Sequence, residues 1–301
     1  TRVRRAIHLG AVALAVLAHR IVDGEPLACS HAPPPGVLRV LSWNLENFPA
    51  DHDIAKMSRW IARAAPQVVA IQEVRDADAL AALLPEHAAA LSRRGGARGQ
   101  TLGVAIGADA EASPIVEHAA LELGGRVRPA VSSHVRAAGV DFHLVVVHLK
   151  ATPSGLDTRR LQWAALVDLI ARLPLSGPGA GDLDLVVVGD FNATGADETT
   201  AAGERAALGG VLAGLGLRPI EPVDGCSAYW DGARRDAWLE PTLLDLAFVR
   251  GFAGADVTAR ALGACATHRC APLRTTDAHP DPDIVGTSDH CPLLLELASL
   301  D

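Results

Sequence analysis

Lysine is almost absent from this chain of 301 residues: Lys56 and Lys150 are the only two, so most of its cationic surface is arginine. Acidic side chains outnumber basic ones, 35 to 27, and the net charge is −8. That balance excludes the strongly basic face of a protein that grips nucleic acid through phosphates alone. Aromatic residues make up 4%, with a single tyrosine, Tyr229, which argues against a stacking platform for single strands. No internal repeat and no Gly-rich nucleotide loop of the P-loop or Rossmann kind is present. An acidic enzyme can still act on a phosphodiester when a bound cation supplies the positive charge. What is there is 49% hydrophobic residue, enough to bury the core of one large domain or two small ones.

Residues 1–36 read as a processing segment and a linker. Arg2, Arg4 and Arg5 precede an apolar run from Ala6 to Ala18, a positive n-region and an h-region, with Val16-Leu17-Ala18 suited to a signal peptidase. The run falls short of the roughly 20 residues that span a bilayer. Export to a periplasmic or extracellular space is expected. Pro26-Leu27-Ala28-Cys29 is a poor lipobox, and residues 31–36 have the composition of an extended linker. One domain is expected over 37–301.

Within that domain, apolar runs alternate with helical patterns. Val37–Trp43 reads as a strand running into Asn44-Leu45-Glu46-Asn47, and a helix capped by Asp51 or Asp53 extends to Ala65. Val68–Ile71 is a short strand delivering Gln72-Glu73. Strands at 102–106, 115–117, 130–135 and 140–147 form a meander whose last member delivers His148. A helix over 157–173 has Leu161, Ala165, Leu169 and Leu173 on one face. Helical residues follow around 204–215, Leu243–Val249 carries Asp245 in the interior of a strand, and Leu293–Leu297 closes the chain.

The stretch Leu185–Ala193, LVVVGDFNA, organises the rest. Four apolar residues read as a strand buried on both faces, and Gly189 releases the backbone before Asp190 and Asn192. A strand ending in a carboxylate and a carboxamide delivers oxygen-rich side chains to the rim of a sheet, where ligands of open α/β sheets bind. The same arrangement recurs at Asn44, Glu73, His148, Asp245 and Asp289-His290. Carboxylate and amide oxygens are hard donors that suit Mg²⁺, Mn²⁺ or Ca²⁺ better than zinc. Each residue also has an ordinary alternative, as a turn, a strand-end ion pair or a satisfied core histidine. Asp245 is the hardest to explain so, since a carboxylate in an apolar strand needs a partner.

WNLEN at 43–47, IQEV at 71–74, VVVHLK at 145–150, GDFNA at 189–193, LLD at 243–245 and SDHCP at 288–292 resemble, in order, the motifs of the endonuclease/exonuclease/phosphatase superfamily. The resemblance covers about residues 37–299 and is of a bacterial secreted, deoxyribonuclease I-like type. It implies a four-layer α/β sandwich, two mostly antiparallel sheets packed face to face with helices outside. It also implies a Mg²⁺- or Mn²⁺-dependent phosphoric ester hydrolase, with Ca²⁺ admissible. By resemblance Glu73 is the main metal ligand, completed by Asn44 and Asp289. Asp190 orients or deprotonates the attacking water, and Asn192 holds the phosphate oxygens and Asp190. His290 contacts the phosphoryl group, with Asp245 fixing its tautomer, and His148 lies near the leaving oxygen. The implied partner is a phosphodiester, nucleic acid before phospholipid or inositol phosphate. A monomer with no stable protein partner is expected. A phosphomonoesterase or sphingomyelinase-like enzyme is the alternative, and a silent binding module on the same fold the third reading.

Of the five cysteines, Cys226, Cys265 and Cys270 suit a disulfide between two of them, with the pairing open, or with His268 a Cys₃His zinc site of unusual spacing. Cys291 reads as buried packing.

Overall fold

The computed structural model describes residues 33–34, 36–196, 199–231, 236–252 and 257–298. The signal-like segment lies outside the described residues. In chain order the strands are β1 (Val37–Phe48), β2 (Val68–Val74), β3 (His87–Leu91), β4 (Thr101–Gly107), β5 (Ala110–Ala112) and β6 (Val116–His118). There follow β7 (Ala130–Ala137), β8 (Val140–His148), β9 (Leu185–Asp190), β10 (Gly195–Ala196), β11 (Thr199–Thr200) and β12 (Arg218–Ile220). The last are β13 (Ala228–Trp230), β14 (Trp238–Thr242), β15 (Asp245–Arg250), β16 (Val257–Ala261), β17 (Leu273–Arg274) and β18 (Leu293–Ala298).

Two sheets carry the architecture. The first has the order β16-β18-β1-β2-β4-β3, the second β12-β15-β9-β8-β7-β5 with β6 also on β7. Each is antiparallel except for one central parallel pair, β1 with β2 and β8 with β9. Parallel strands are buried on both faces and read as continuous apolar runs, which is what VVAI, LVVV and LVVV provide in β2, β8 and β9.

Three apolar clusters separate four layers. Leu38, Val40, Val68 and Leu295 of the first sheet meet Leu144, Val146, Val188 and Val249 of the second in a common core. Leu41, Trp43 and Val69 face the other way, onto Met57 and Ile61 of the helix Ile54–Ala64 and Leu80 and Leu83 of Ala77–Leu83. On the far side Val145, Val187 and Phe248 pack on Leu166 and Ile170 of the helix Leu156–Arg172 and on Leu208 and Leu212 of Ala201–Ala213. This is the expected α/β sandwich.

Several local expectations are corrected. Leu161 is not on the packed face of its helix but 61% exposed. Arg159 and Gln162 are buried instead, because Arg159 pairs with buried Glu204 and Gln162 accepts from the amide of Lys150 at 2.8 Å. Strand β3 is not legible as a strand, since HAAAL carries little apolar bulk and lies at the sheet edge. Asp245 opens its strand rather than sitting inside it, opposite Asp190 in register. Among the described residues, Cys226–Cys270 is the disulfide expected within Cys226, Cys265 and Cys270, and a second, Cys265–Cys291, makes Cys291 bonded rather than free and takes up the sulfurs of the alternative Cys₃His zinc site.

Candidate active site

The two parallel pairs run the same way to one rim of the sandwich, and that rim gathers the polar side chains. Glu73 stands near the end of β2, and His148 and Asp190 end β8 and β9. Antiparallel neighbours start where these end, so Asp245 opens β15, and Asp289 and His290 precede β18. Asn44 and Glu46 come from the last part of β1.

The backbone is bent to reach this geometry. Register shifts interrupt the β1–β2 ladder between Asn44 and Phe48 and the β2–β4 ladder between Ile71 and Val74. Such bulges re-aim side chains beside functional sites. Glu46, Asn47, Glu73 and Asn192 all have positive φ, between 47° and 63°. Each such residue costs on the order of 1–3 kcal/mol, and that strain concentrates at functional sites.

Asp190 is the hub. Its Oδ2 accepts from Asn192 Nδ2 at 2.7 Å and from Asn44 Nδ2 at 3.1 Å, and lies 3.2 Å from His148 Nε2 and 3.9 Å from His290 Nε2. Its Oδ1 accepts from the amide of Asn192 at 2.8 Å. Burial, with the charges of Asp245 and Glu73 adding to it against that of His290, pushes the Asp190 carboxyl up to about 7. His290 Nδ1 is 2.8 Å from Asp245 Oδ2, which also accepts from Ser227 Oγ at 2.9 Å. Burial works against the His290 imidazolium, but Asp245, Asp289 and Asp190 together outweigh it and hold its pKa well above the ordinary value. His148 is the opposite case. Burial, then Arg128 and His290, holds it well below the ordinary value, so it is neutral.

All eight residues singled out in the sequence therefore reach one rim. Sequence reasoning missed four others. Gln100 Nε2 donates to Glu73 Oε2 and to Asn47 Oδ1, Arg128 donates to Gln100 and stands 3.6 Å from Glu73 Oε1, Glu46 accepts from the amide of Asp289 at 3.0 Å, and Ser227 braces Asp245. Arg128 sits in RVRPA with no motif to mark it; only the contact shows it. Tyr229 is not in the pocket: it is buried, with its hydroxyl on the carbonyl of Ala271.

The donor set fits a hard divalent cation. Glu46, Glu73, Asp190, Asp245 and Asp289 crowd one rim with Arg128 and His290 as cations. Glu46 is held above the usual carboxylate range by burial and by Asp289, and Asp289 by burial and by Glu73 and Asp245. Asp289 Oδ1 is enclosed and has no hydrogen-bond partner. Oxygen donors, excess negative charge and an orphan carboxylate oxygen are what a hard divalent cation would complete. Asn44 contributes less freedom, since its amide holds Asp190 and its Oδ1 accepts from the Glu46 amide at 3.0 Å.

The sequence profile of the Endonuclease/Exonuclease/phosphatase family matches residues 41–290. No curated protein sequence matches the chain. Among solved structures, D. rerio TDP2 complexed with single strand DNA product is similar over 87% of this chain and 99% of its own, with 18% identity and a TM-score of 0.60. The human Nocturnin catalytic domain with bound sulfate is similar over 89% of this chain and 95% of its own, at 16% identity and a TM-score of 0.57. An endonuclease/exonuclease/phosphatase from Bacteroides vulgatus is similar over 87% and 98%, at 17% identity and a TM-score of 0.59. With a profile spanning most of the chain and the same fold in these structures, the chain belongs to the endonuclease/exonuclease/phosphatase family.

Proposed function

We propose that the chain is an exported, monomeric, Mg²⁺- or Mn²⁺-dependent phosphodiesterase of nuclease type. The observation that carries the reading is the pair of imidazoles set against Asp190, with His148 Nε2 3.2 Å and His290 Nε2 3.9 Å from its Oδ2. Glu73 and Asp289 would hold the ion with Asn44, and the ion, when bound, would stabilise charge on the phosphoryl oxygens. Asp190, raised to about 7 by burial, can take a proton from water at a carboxylate oxygen near neutral pH. Asn44 and Asn192 fix its orientation. His290, kept protonated by Asp245, presents Nε2 as a cationic donor to a phosphoryl oxygen. His148 Nε2 stands 3.2 Å from Asp190 Oδ2 and 3.6 Å from Glu73 Oε1, and burial holds the imidazole well below its ordinary pKa. A nucleic acid substrate is supported by the single strand DNA product bound in the D. rerio relative, and export by two disulfides, which persist in oxidising compartments.

A phospholipid phosphodiester is the second reading. It is favoured by Trp230 and Trp238, 43% and 45% exposed on the hairpin β13–β14, which borders His290 through the Ala228–His290 bridge.

A hydrolysis panel tests both readings: single- and double-stranded DNA, RNA, sphingomyelin and an inositol phosphate, in Mg²⁺ and Mn²⁺. Cleavage of DNA or RNA that is lost in Asp190→Ala, His290→Ala and Glu73→Gln supports the first. Turnover of lipid alone transfers it to the second, and full activity in excess chelator ends the metal dependence.

A further inference from the structure

A second donor cluster joins the end of the helix Ala264–His268 to the loop that leads into Asp289 and His290. Among the described residues, His268, Asp281 and Asp283 each place one ligand atom within 4.8 Å of the others. His268 Nε2 is 3.3 Å from Asp281 Oδ2 and 3.7 Å from Asp283 Oδ2. That nitrogen atom is itself enclosed yet makes no hydrogen bond, while the side chain as a whole is 27% exposed. Asp281 Oδ1 is already engaged by the amide of Asp283 at 2.8 Å, leaving Oδ2 to face the imidazole.

These separations have a simple meaning. Ligand atoms bonded to a tetrahedral zinc at about 2.0–2.2 Å stand roughly 3.3–3.6 Å from one another. An ordinary N–H···O hydrogen bond is shorter. The contrast lies in the same molecule: His134, Asp141 and Asp182 also converge, but His134 Nε2 and Asp182 Oδ2 are hydrogen-bonded at 2.9 Å and leave no orphan. One imidazole with carboxylates suits Zn²⁺, whereas Mg²⁺ and Ca²⁺ prefer oxygen alone.

The frame around the cluster is fixed without any ion. His268 ends the short helix Ala264–His268, which is tied through Cys265 to Cys291 and followed by Cys270 bonded to Cys226. Across from it, Lys56 Nζ donates to the carbonyls of Pro282 and Val285, and Thr275 Oγ1 accepts from the amide of Asp281 at 3.0 Å. Both arms of the cluster are thus held in place, which lowers the ordering cost of binding.

We propose that His268, Asp281 and Asp283 bind one Zn²⁺ with water as fourth ligand, and that this ion pins the segment preceding Asp289 and His290 to the disulfide-bonded helix. It is a structural site separate from the Glu73–Asp289 rim.

The test uses the full chain carrying Glu73→Gln and Asp289→Asn, which takes the catalytic rim out of the count. The chelator-stripped protein is titrated with Zn²⁺ by calorimetry and with Co²⁺ by visible absorption. One equivalent of Zn²⁺, a Co²⁺ spectrum of tetrahedral intensity, and loss of both when His268→Ala or the pair Asp281→Asn, Asp283→Asn is added are the expected results. No bound equivalent in the parent, or an unchanged equivalent in folded His268→Ala, overturns the site. Should His268→Ala fail to fold, zinc-edge X-ray absorption on the parent reads the ligands directly. One imidazole with oxygen donors supports the assignment; sulfur ligands, or oxygen alone, overturn it.

Discussion

Asp245 Oδ2 holds His290 Nδ1 at 2.8 Å while Asp245 Oδ1 is enclosed without a partner. Asp245 is wholly buried, and its charge is the first of those that keep His290 protonated. Asp245→Asn keeps the volume and removes the charge. It is expected to lower kcat by about 10²–10⁴, the range for a positioned proton donor, with an unchanged circular dichroism spectrum. A loss below about tenfold would separate the pair from the chemistry.

Gly189 has φ +134°, and a Cβ there would lie 2.0 Å from the carbonyl oxygen of Val147. The contact joins β8 to β9 one residue before His148 and Asp190. Gly189→Ala is expected to destabilise the fold by at least about 3 kcal/mol, since both the left-handed backbone and the overlap must be relieved. Urea unfolding measures it, and a change within about 0.5 kcal/mol would contradict the packing.

The disulfides close segments separated by 26 and 44 residues in sequence. The chain-entropy estimate for such loops is about 3–4 kcal/mol each. Cys265→Ser with Cys291→Ser is expected to lower both the melting temperature and activity, because Cys291 adjoins His290. Reduction of the wild type under denaturing conditions, followed by dilution into reductant, is expected to reproduce the effect. Equal melting temperatures of the double variant and the wild type would show that the Cys265–Cys291 bond does not stabilise the native state.

His118, hydrogen-bonded to Ser132 Oγ at 2.7 Å, is lowered from 6.5 to about 4 by burial and then by Arg172. Between those values the unfolded chain binds the proton and the folded one does not, so stability falls as pH drops from 6.5 and levels off below about 4. His118→Asn is expected to flatten stability against pH over that window, read from urea midpoints at several pH values. An unaltered slope would remove His118 from the acid sensitivity.

The strands that end at the rim were legible because buried parallel strands announce themselves as apolar runs, and Asp190 and His148 follow directly from theirs. Glu46, Gln100 and Arg128 were not, because each reaches the rim from a bulge or loop. Only tertiary contact distinguishes Arg128 from the exposed arginines around it. The pairing of Cys291 was hidden for a similar reason: a cysteine beside an apolar strand looks like packing until the helix at 264–268 is placed against it. Leu161 is the opposite case: helical spacing assigns it to the packed face, whereas Arg159 and Gln162 are the buried residues.

The central parallel pair in each sheet has one more consequence. Asn44, Glu46, Glu73, Asp289 and His290 belong to one sheet and its approaches, and His148, Asp190, Asn192 and Asp245 to the other. Each half is incomplete, and the valines and leucines between them act as the spacer that sets the gap across which they meet. A methylene added or removed in that apolar spacer, far from any polar atom, would therefore be felt as misalignment of the reacting groups before it was felt as loss of the fold.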